Sequence, residues 1–425
     1  MKYKKSLIRA LRHKILSALN KMLPKYKRVL IIGFPNVESS AVATANYIAS
    51  HYDIPVSYVI SKKQQDHPGG ILLPKVKVIP SNGAYKAQLK FFWQLFTSKY
   101  LFLTHGIFLS SFSKRQVVTN IWHGILYKKI GLLLGGRAIP AHVTVGTSAL
   151  TRKMFSEAFG VPEAKVFVSG YPRNDQLLEG KAKKMAIRKQ IDAGLQHHMP
   201  EGFPQHKDVE PAPYKNAGLN RYKKVLIWMP TFRKNRNKTG WQDGIESGNP
   251  FYIENFDVLR FNEILKEINS FCLVKPHPMA VKYAATDNLS HMAFIDDQWI
   301  SDRGITLYQL VGSTDILISD VSSVVIDYLL LDQPILCVST DFDAYKKNRG
   351  FYFESIEEWL PGPVLRSEEL FFQALEGVLK SGRDDYDCKR KSLKERFFTH
   401  HDARSTERLV EYVFNQPINH PIIRK

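Results

Sequence analysis

With 425 residues, 44% of them hydrophobic, and a formal net charge of +20, the chain is too long for one ordinary core, suits two domains of about 200 residues each, and asks for acidic partners. Cys272, Cys337 and Cys388 are widely spaced without a CxxC pair, which argues against a disulfide framework or a cysteine-rich metal site and points to a reducing compartment, the cytosol. No run approaches the ~18–20 apolar residues of a membrane span, and the N-terminus lacks the unbroken apolar core of a signal peptide, so neither a bilayer crossing nor secretion by that route is expected.

Residues 1–37 contain no Asp or Glu, while Lys2, Lys4, Lys5, Arg9, Arg12, Lys14, Lys21, Lys25, Lys27 and Arg28 are basic. Leu7, Ile8, Leu11, Ile15, Leu16, Leu19, Met22 and Leu23 recur between them at three- and four-residue steps, which predicts a basic amphipathic helix over residues 1–25. Such a helix suits an anionic membrane surface, where each basic residue near the headgroups gains about 1 kcal/mol. The other reading is a helix packed on its own domain with a solvated basic face. No aromatic and basic single-strand platform or DNA-reading motif accompanies the charge, so nucleic acid is not expected as a partner.

A first strand over Lys27–Asn36 runs into a Gly/Pro/Asn turn, and Ser39–Ser50 follows as a small-residue helix. Short strands recur at Val56–Ile60, Val76–Ile79, Tyr100–Thr104, Val117–Ile121, Val143–Val145 and Val166–Ser169, separated by helical or loop segments. That alternation predicts a parallel, helix-flanked sheet. The last of these strands ends in the turn GYPRND, Gly170–Asp175. From about 181 to 220 the chain is charged, helical at first and then broken by Pro200, Pro204, Pro211 and Pro213, which reads as a linker. An N-terminal domain over 26–215 and a C-terminal domain over 221–425 follow from that placement.

The second βα series begins with Val225–Arg233 and continues through Cys272–Pro278, Ala293–Asp297, Asp315–Leu336 and Pro334–Ser339. The tail from Ser367 to Phe414 is helical, with one helix at Glu368–Lys380 and another from Ser405 onward. The sequence thus predicts an α/β protein with two Rossmann-like, doubly wound domains whose ligands gather at the carboxyl ends of the strands, in a cleft that both domains face.

Within Asp315–Leu336, an apolar strand (Ile316–Ile318) enters a turn carrying Asp320, Ser322 and Ser323, and an apolar helix is expected from Val324 to Leu331. Unpaired backbone N–H groups and serine hydroxyls at a helix start suit a phosphate, though an ordinary serine N-cap on a core βα unit has the same pattern. His123 stands in IWHG at a strand end with Trp122 and Gly124 beside it and Lys128 and Lys129 shortly after. Its imidazole is either structural or a base for a substrate hydroxyl. His277 lies in KPHP beside Lys275, where the flanking prolines fix its direction toward a phosphate oxygen or simply rigidify a turn. Arg233 after MPTF offers a bidentate fork to phosphate or a surface charge, and Arg173 caps its own turn or serves a ligand. Asp341 and Asp343 in TDFDAY read as a solvated turn rather than a metal-binding DxD, and His197, His198 and His206 match no tetrahedral metal site.

Eight ordered segments, IWHGILYKKIG (Ile121–Gly131), GYPRND, MPTFR (Met229–Arg233), KPHP (Lys275–Pro278), DILISDVSSVVIDYLLLDQPI (Asp315–Ile335), DFDAYKKNRGFYFE (Asp341–Glu354), PGPV (Pro361–Val364) and HDARSTER (His401–Arg408), resemble those of the CDP-glycerol glycerophosphotransferases, primases and polymerases of teichoic-acid-like polymers. The resemblance runs from about Tyr100 to Arg408. It implies a GT-B architecture, with the acceptor on the N-terminal domain, a CDP-alditol on the C-terminal one, and peripheral attachment to the inner face of the cell membrane. It implies His123 as the base for the acceptor hydroxyl, with Trp122, Gly124, Lys128 and Arg173 on the acceptor side. It further implies His277, Arg233, Lys275, Ser322 and Ser323 at the donor pyrophosphate, Asp327 near them on the helix, and Arg404 near the nucleotide.

Three departures stand out: Ile125 and Leu126 replace the family's usual threonine and proline after WHG, Ala403 replaces a glycine after Asp402, and Lys275 replaces an arginine. The expected reaction is transfer of an alditol phosphate from CDP-glycerol, or a related donor, to a hydroxyl of a lipid-linked or polysaccharide acceptor. CMP would leave without an obligatory metal or cofactor, as a step of teichoic-acid or capsule-like polymer synthesis. A GT-B glycosyltransferase using a nucleotide sugar, or an idle membrane scaffold for polyanions, are the alternatives.

Overall fold

A computed structural model describes the protein except residues 1–12, 62–67, 110, 196–217, 232–249, 278–288 and 417–425. The chain divides into two compact units: Met1–His123, Ile130–Gln176 and Phe398–Lys425 form the first, and Gly124–Lys129 with Leu177–Phe397 the second.

The first unit holds a seven-stranded parallel sheet of β1 (Tyr26–Ile32), β2 (Val56–Ile60), β3 (Lys77–Pro80), β4 (Ser98–Leu103), β5 (Val117–Asn120), β6 (Val143–Gly146) and β7 (Val166–Val168), in the order β3-β2-β1-β4-β5-β6-β7. Strands covered on both faces need near-continuous apolar runs, as in VLII of β1 and YLFL of β4. Leu30, Val59, Ile79, Leu101 and Val118 meet Phe91, Leu95 and Phe96 of the helix Tyr85–Thr97 in one core. The C-terminal helix Ser405–Phe414 returns to this unit, where the Phe414 ring lies against Tyr52 and Tyr100 at 5.0 and 4.7 Å. Asp175 fixes its start by accepting from the backbone N–H groups of Ser405 (2.8 Å) and Thr406 (2.7 Å).

The basic N-terminal segment is helical over its described part, 13–22. Its apolar residues divide: Leu16 and Leu23 pack on the core just described, whereas Ile15, Leu19 and Met22 stay exposed. Asn20 is fully buried and donates to the Gln116 side chain at 2.8 Å.

The second unit holds a six-stranded parallel sheet of β8 (Lys224–Met229), β9 (Ser270–Val274), β10 (Met292–Phe294), β11 (Ile316–Ser319), β12 (Ile335–Val338) and β13 (Val364–Leu365), in the order β10-β9-β8-β11-β12-β13. Trp228 anchors its core against Phe251, Phe261 and Phe371, with ring centroids 4.8, 5.6 and 5.0 Å away. The helix Lys184–Leu195, in the stretch read as the start of a linker, belongs here. Arg188 reaches Asp315 at 2.6 Å, Lys184 pairs with the same carboxylate, and Asp315 also accepts from the backbone N–H of Val225 at 2.7 Å.

Two helical expectations change. The helix after Ser323 is α-helical only over Val324–Tyr328 and tightens to a 3-10 turn at Leu329–Leu331, before a left-handed Asp332 leads into β12. The helix expected over Glu368–Lys380 is α-helical to Glu376 and continues as a π turn at Gly377–Ser381. The helix Tyr85–Thr97 and the two-residue β13 add elements that the sequence pattern did not announce, whereas the helix Asp387–Phe397 falls within the helical tail. In both sheets the strand order reverses once, between β1 and β4 and between β8 and β11, and such a reversal is where a doubly wound sheet opens a crevice for ligands.

Candidate active site

In the first unit, the chain leaving β5 turns sharply. Trp122 takes a left-handed backbone (φ +23°) and Gly124 has φ +155°, so His123 stands on a bend that few residues could follow. The His123 Nδ1 atom lies 3.1 Å from the Thr104 carbonyl oxygen. Its ring stacks on His105 at 4.3 Å and lies 4.1 Å from the Trp122 ring, which rests on Phe159 at 4.9 Å. The buried Arg173 guanidinium donates to the His123 carbonyl oxygen, so Arg173 does not merely cap its own turn. Burial, then the neighbouring His105 and Arg173, push the His123 pKa down to about 3 against a hydrogen bond to Thr104 that favours the charged form. The imidazole is therefore neutral at physiological pH, as a base must be before it takes a proton, and an anionic substrate beside it would raise its basicity.

In the second unit, the loop after β8 is tied to the loop after β11. Thr231 donates to Asp320 from its backbone N–H (2.9 Å) and from its hydroxyl (2.5 Å). Ser322 and Ser323 follow, both half-buried. Ser323 stands at the N-cap but makes no side-chain capping bond, which removes the ordinary N-cap reading and leaves its hydroxyl for another acceptor. His277 follows β9, and burial, with Lys275 and Lys128 adding to it and Asp297 and Asp320 opposing, lowers its pKa to about 4.

The remaining residues separate into those that stand at these sites and those that do not. Lys128 falls in the second unit, with its ammonium 5.3 Å from the Tyr345 ring centroid, and its charge is among those that lower the His277 pKa. Lys275 is nearly buried and paired with Asp297 at 3.0 Å, which orders the loop before His277 but occupies its charge. Asp327 is fully buried and accepts from the Tyr308 hydroxyl at 2.7 Å, which braces the short helix from within. Arg404 belongs to the first unit, is exposed, and pairs with Glu407 at 2.8 Å. Arg233, His197, His198 and His206 lie outside the described residues. Asp341 and Asp343 diverge, the first buried and 3.3 Å from the Ser339 hydroxyl, the second paired with Arg366 at 2.6 Å.

His105 and Thr231 join the sites without having been singled out. His105 carried a readable signal, since THG follows β4 as IWHG follows β5, a histidine and glycine at the end of a buried strand. Thr231 carried none, because only the register of β8 against β11 brings it to Asp320.

A family model described as CDP-Glycerol:Poly(glycerophosphate) glycerophosphotransferase matches residues 15–199 and 205–415. The teichoic acid poly(glycerol phosphate) polymerase of Bacillus spizizenii is 24% identical over 443 residues, spanning 97% of this chain and 98% of that protein. The teichoic acid ribitol-phosphate polymerase TarK of Staphylococcus aureus is 26% identical over 322 residues, 73% of this chain and 54% of TarK. The chain thus spans about half the length of the ribitol-phosphate polymerases it matches, 54% of TarK and 49% of TarL. The fold is that of the wall teichoic acid polymerase TagF, with a TM-score of 0.68, 18% identity and 96% and 97% of the two chains covered. A TagF variant solved after a soak with CDPG gives a TM-score of 0.68 at 19% identity, with the same shares covered. Matched along nearly its whole length, the chain belongs to the CDP-glycerol:poly(glycerophosphate) glycerophosphotransferase family.

Proposed function

We propose that the protein transfers an alditol phosphate from a CDP-alditol, CDP-glycerol or its ribitol counterpart, to a hydroxyl of a lipid-linked or polysaccharide acceptor, releasing CMP in the synthesis of a teichoic-acid or capsule-like polymer. The observation that carries this reading is His123, a neutral imidazole oriented through Nδ1 at a strand end, in a chain that the family model matches from 15 to 415. In this reading the first unit supplies the base and the second grips the phosphates. His123 takes the proton of the acceptor hydroxyl as its oxygen bonds to the phosphorus bearing the alditol, and the bond from that phosphorus to the CMP oxygen breaks. His277, the Ser322 and Ser323 hydroxyls, Lys128 and Arg233 would stabilise charge on the transferring and departing phosphates. These cationic and hydroxyl groups can carry that charge themselves, and we propose turnover without an obligatory divalent ion.

Among the described residues no helix is long and apolar enough to cross a membrane. We propose attachment to the inner face of the membrane by the first unit. Support comes from the exposed Ile15, Leu19 and Met22 of helix 13–22 and the exposed Tyr85, Leu89 and Trp93 of helix Tyr85–Thr97, spaced four residues apart. Lys14, Lys21, Lys86 and Lys90 are exposed on the same two helices, and no acidic residue occurs from His67 to Ser156. Apolar side chains ringed by lysine suit an anionic lipid surface.

The test is to incubate the protein with CDP-glycerol or CDP-ribitol and candidate acceptors, with and without chelator, and to weigh the products. CMP release with an acceptor heavier by one alditol phosphate supports the reading, and a sugar in the product would replace it with glycosyl transfer. Loss of turnover in chelator would remove the metal-free part alone.

A further inference from the structure

His105 is the second ring of the first unit's site, and nothing in the reading above gives it a task. It is half-buried at the end of β4, stacked on His123 at 4.3 Å and 15° between ring planes, with the exposed Phe34 ring edge-on at 5.3 Å. One residue, Thr104, fixes both imidazoles. The His123 Nδ1 atom faces the Thr104 carbonyl at 3.1 Å, and a carbonyl only accepts, so the proton of neutral His123 sits on Nδ1 and its Nε2 carries the lone pair. His105 Nδ1 lies 2.8 Å from the Thr104 hydroxyl oxygen, which already accepts from the Phe34 backbone N–H at 3.0 Å. Thr104 is fully buried, and among the described residues its hydroxyl proton meets only His105 Nδ1 as an acceptor. Were His105 to donate there, that proton would be left unpaired inside the protein, an arrangement that burial penalises. Thr104 therefore donates to His105, whose own proton sits on Nε2. Both rings turn Nδ1 toward Thr104, so both Nε2 atoms lie on the side away from it.

We propose that His105 is a further substrate-binding residue. Its Nε2–H donates to an oxygen of the acceptor, the reacting hydroxyl or a phosphate oxygen next to it, while the Nε2 lone pair of His123 accepts the hydroxyl proton. Opposite tautomers make the stacked pair a matched donor and acceptor for an alcohol, set by a single threonine. Burial, which lowers the pKa of His105 to about 4, agrees with a neutral donor at physiological pH. This assignment rests on the transferase reading, and its test separates the two.

Two substitutions divide donor from ring. His105→Phe keeps the stack and loses the donor; His105→Gln loses the ring and keeps an amide N–H at the position of Nε2. Acceptor KM is expected to rise roughly 10-fold in His105→Phe, the worth of one hydrogen bond, with the KM for the CDP-alditol unchanged, and to stay within about 3-fold in His105→Gln. A His105→Phe enzyme with wild-type acceptor kinetics, or one that shares an equal loss with His105→Gln, overturns the proposal. Nitrogen NMR of histidine-labelled full-length protein, assigned with the same variants, is expected to show the Nε2–H tautomer at His105 and the Nδ1–H tautomer at His123. Nδ1–H at His105 overturns the proposal, and this readout needs no turnover. Wild-type protein that releases no CMP from any CDP-alditol while showing these tautomers would instead sink the transferase reading.

Discussion

At the residue scale, three histidines in different sequence contexts share one physical condition, an imidazole held neutral by burial. Removing the base should act on rate: His123→Ala is expected to lower kcat by about 10²–10⁴, the usual share of general base catalysis, without unfolding the protein. The same burial has a consequence for stability. His105, His123 and His277 titrate at about 4, 3 and 4 in the fold, below their ordinary 6.5. The unfolded chain then binds protons that the folded one refuses, so their contribution to stability is fully present above about pH 6.5 and is lost as pH falls from there toward 4. Thermal midpoints measured from pH 7 to pH 4.5 should fall steadily, and less so in His105→Phe; midpoints that hold or rise on acidification would contradict the buried, neutral rings.

At the element scale, packing of backbone against backbone decides what the second unit tolerates. A Cβ at Gly312 would lie 2.0 Å from the Leu177 carbonyl oxygen, and one at Gly180 would lie 2.2 Å from that of Gln309. The helices Pro172–Ala182 and Leu307–Gly312 thus meet through two glycines. Gly312→Ala is expected to destabilise by about 1–3 kcal/mol or more, seen as a lower denaturation midpoint. Asp315 gathers Arg188 and Lys184 at the start of β11, and Asp315→Ala, which leaves Arg188 charged and buried, should cost about 3–5 kcal/mol. These contacts also explain what could be read in advance. Strand positions were legible because buried parallel strands need apolar runs such as VLIW and FCLV, and strand ends expose the glycines, histidines and serines that follow. The tight end of the helix after Ser323, the pairing of Lys275 with Asp297 and the burial of Asp327 under Tyr308 were not legible, because each depends on a partner brought close only by the fold.

At the scale of the whole molecule, the basic charge is not spread evenly, and its place decides the partner. Residues 16, 17 and 20 of the N-terminal helix and Leu23 just after it face the first unit's core or are buried, so deleting the segment would disturb the domain as well as any lipid contact. Substituting the outward residues is cleaner. Replacing Ile15, Leu19 and Met22 together by serine is expected to weaken co-sedimentation with vesicles containing anionic lipid by roughly 10-fold or more while leaving CMP release with a soluble acceptor unchanged. Unaltered sedimentation would remove this helix from the membrane account. The fold class and the order of the motifs were legible at this scale, whereas the return of Ser405–Phe414 to the first unit was not. That return rests on Asp175 holding the start of the helix and on Phe414 packing against Tyr52 and Tyr100.

The most direct measurement is CMP release by purified wild-type, His123→Ala and His277→Ala proteins, each supplied with CDP-glycerol or CDP-ribitol and an acceptor and each checked for an unchanged thermal midpoint. The account predicts turnover by the wild type and losses of about 10²-fold or greater in both variants, one lacking its base and the other a phosphate partner. Near-wild-type rates in both folded variants would contradict it.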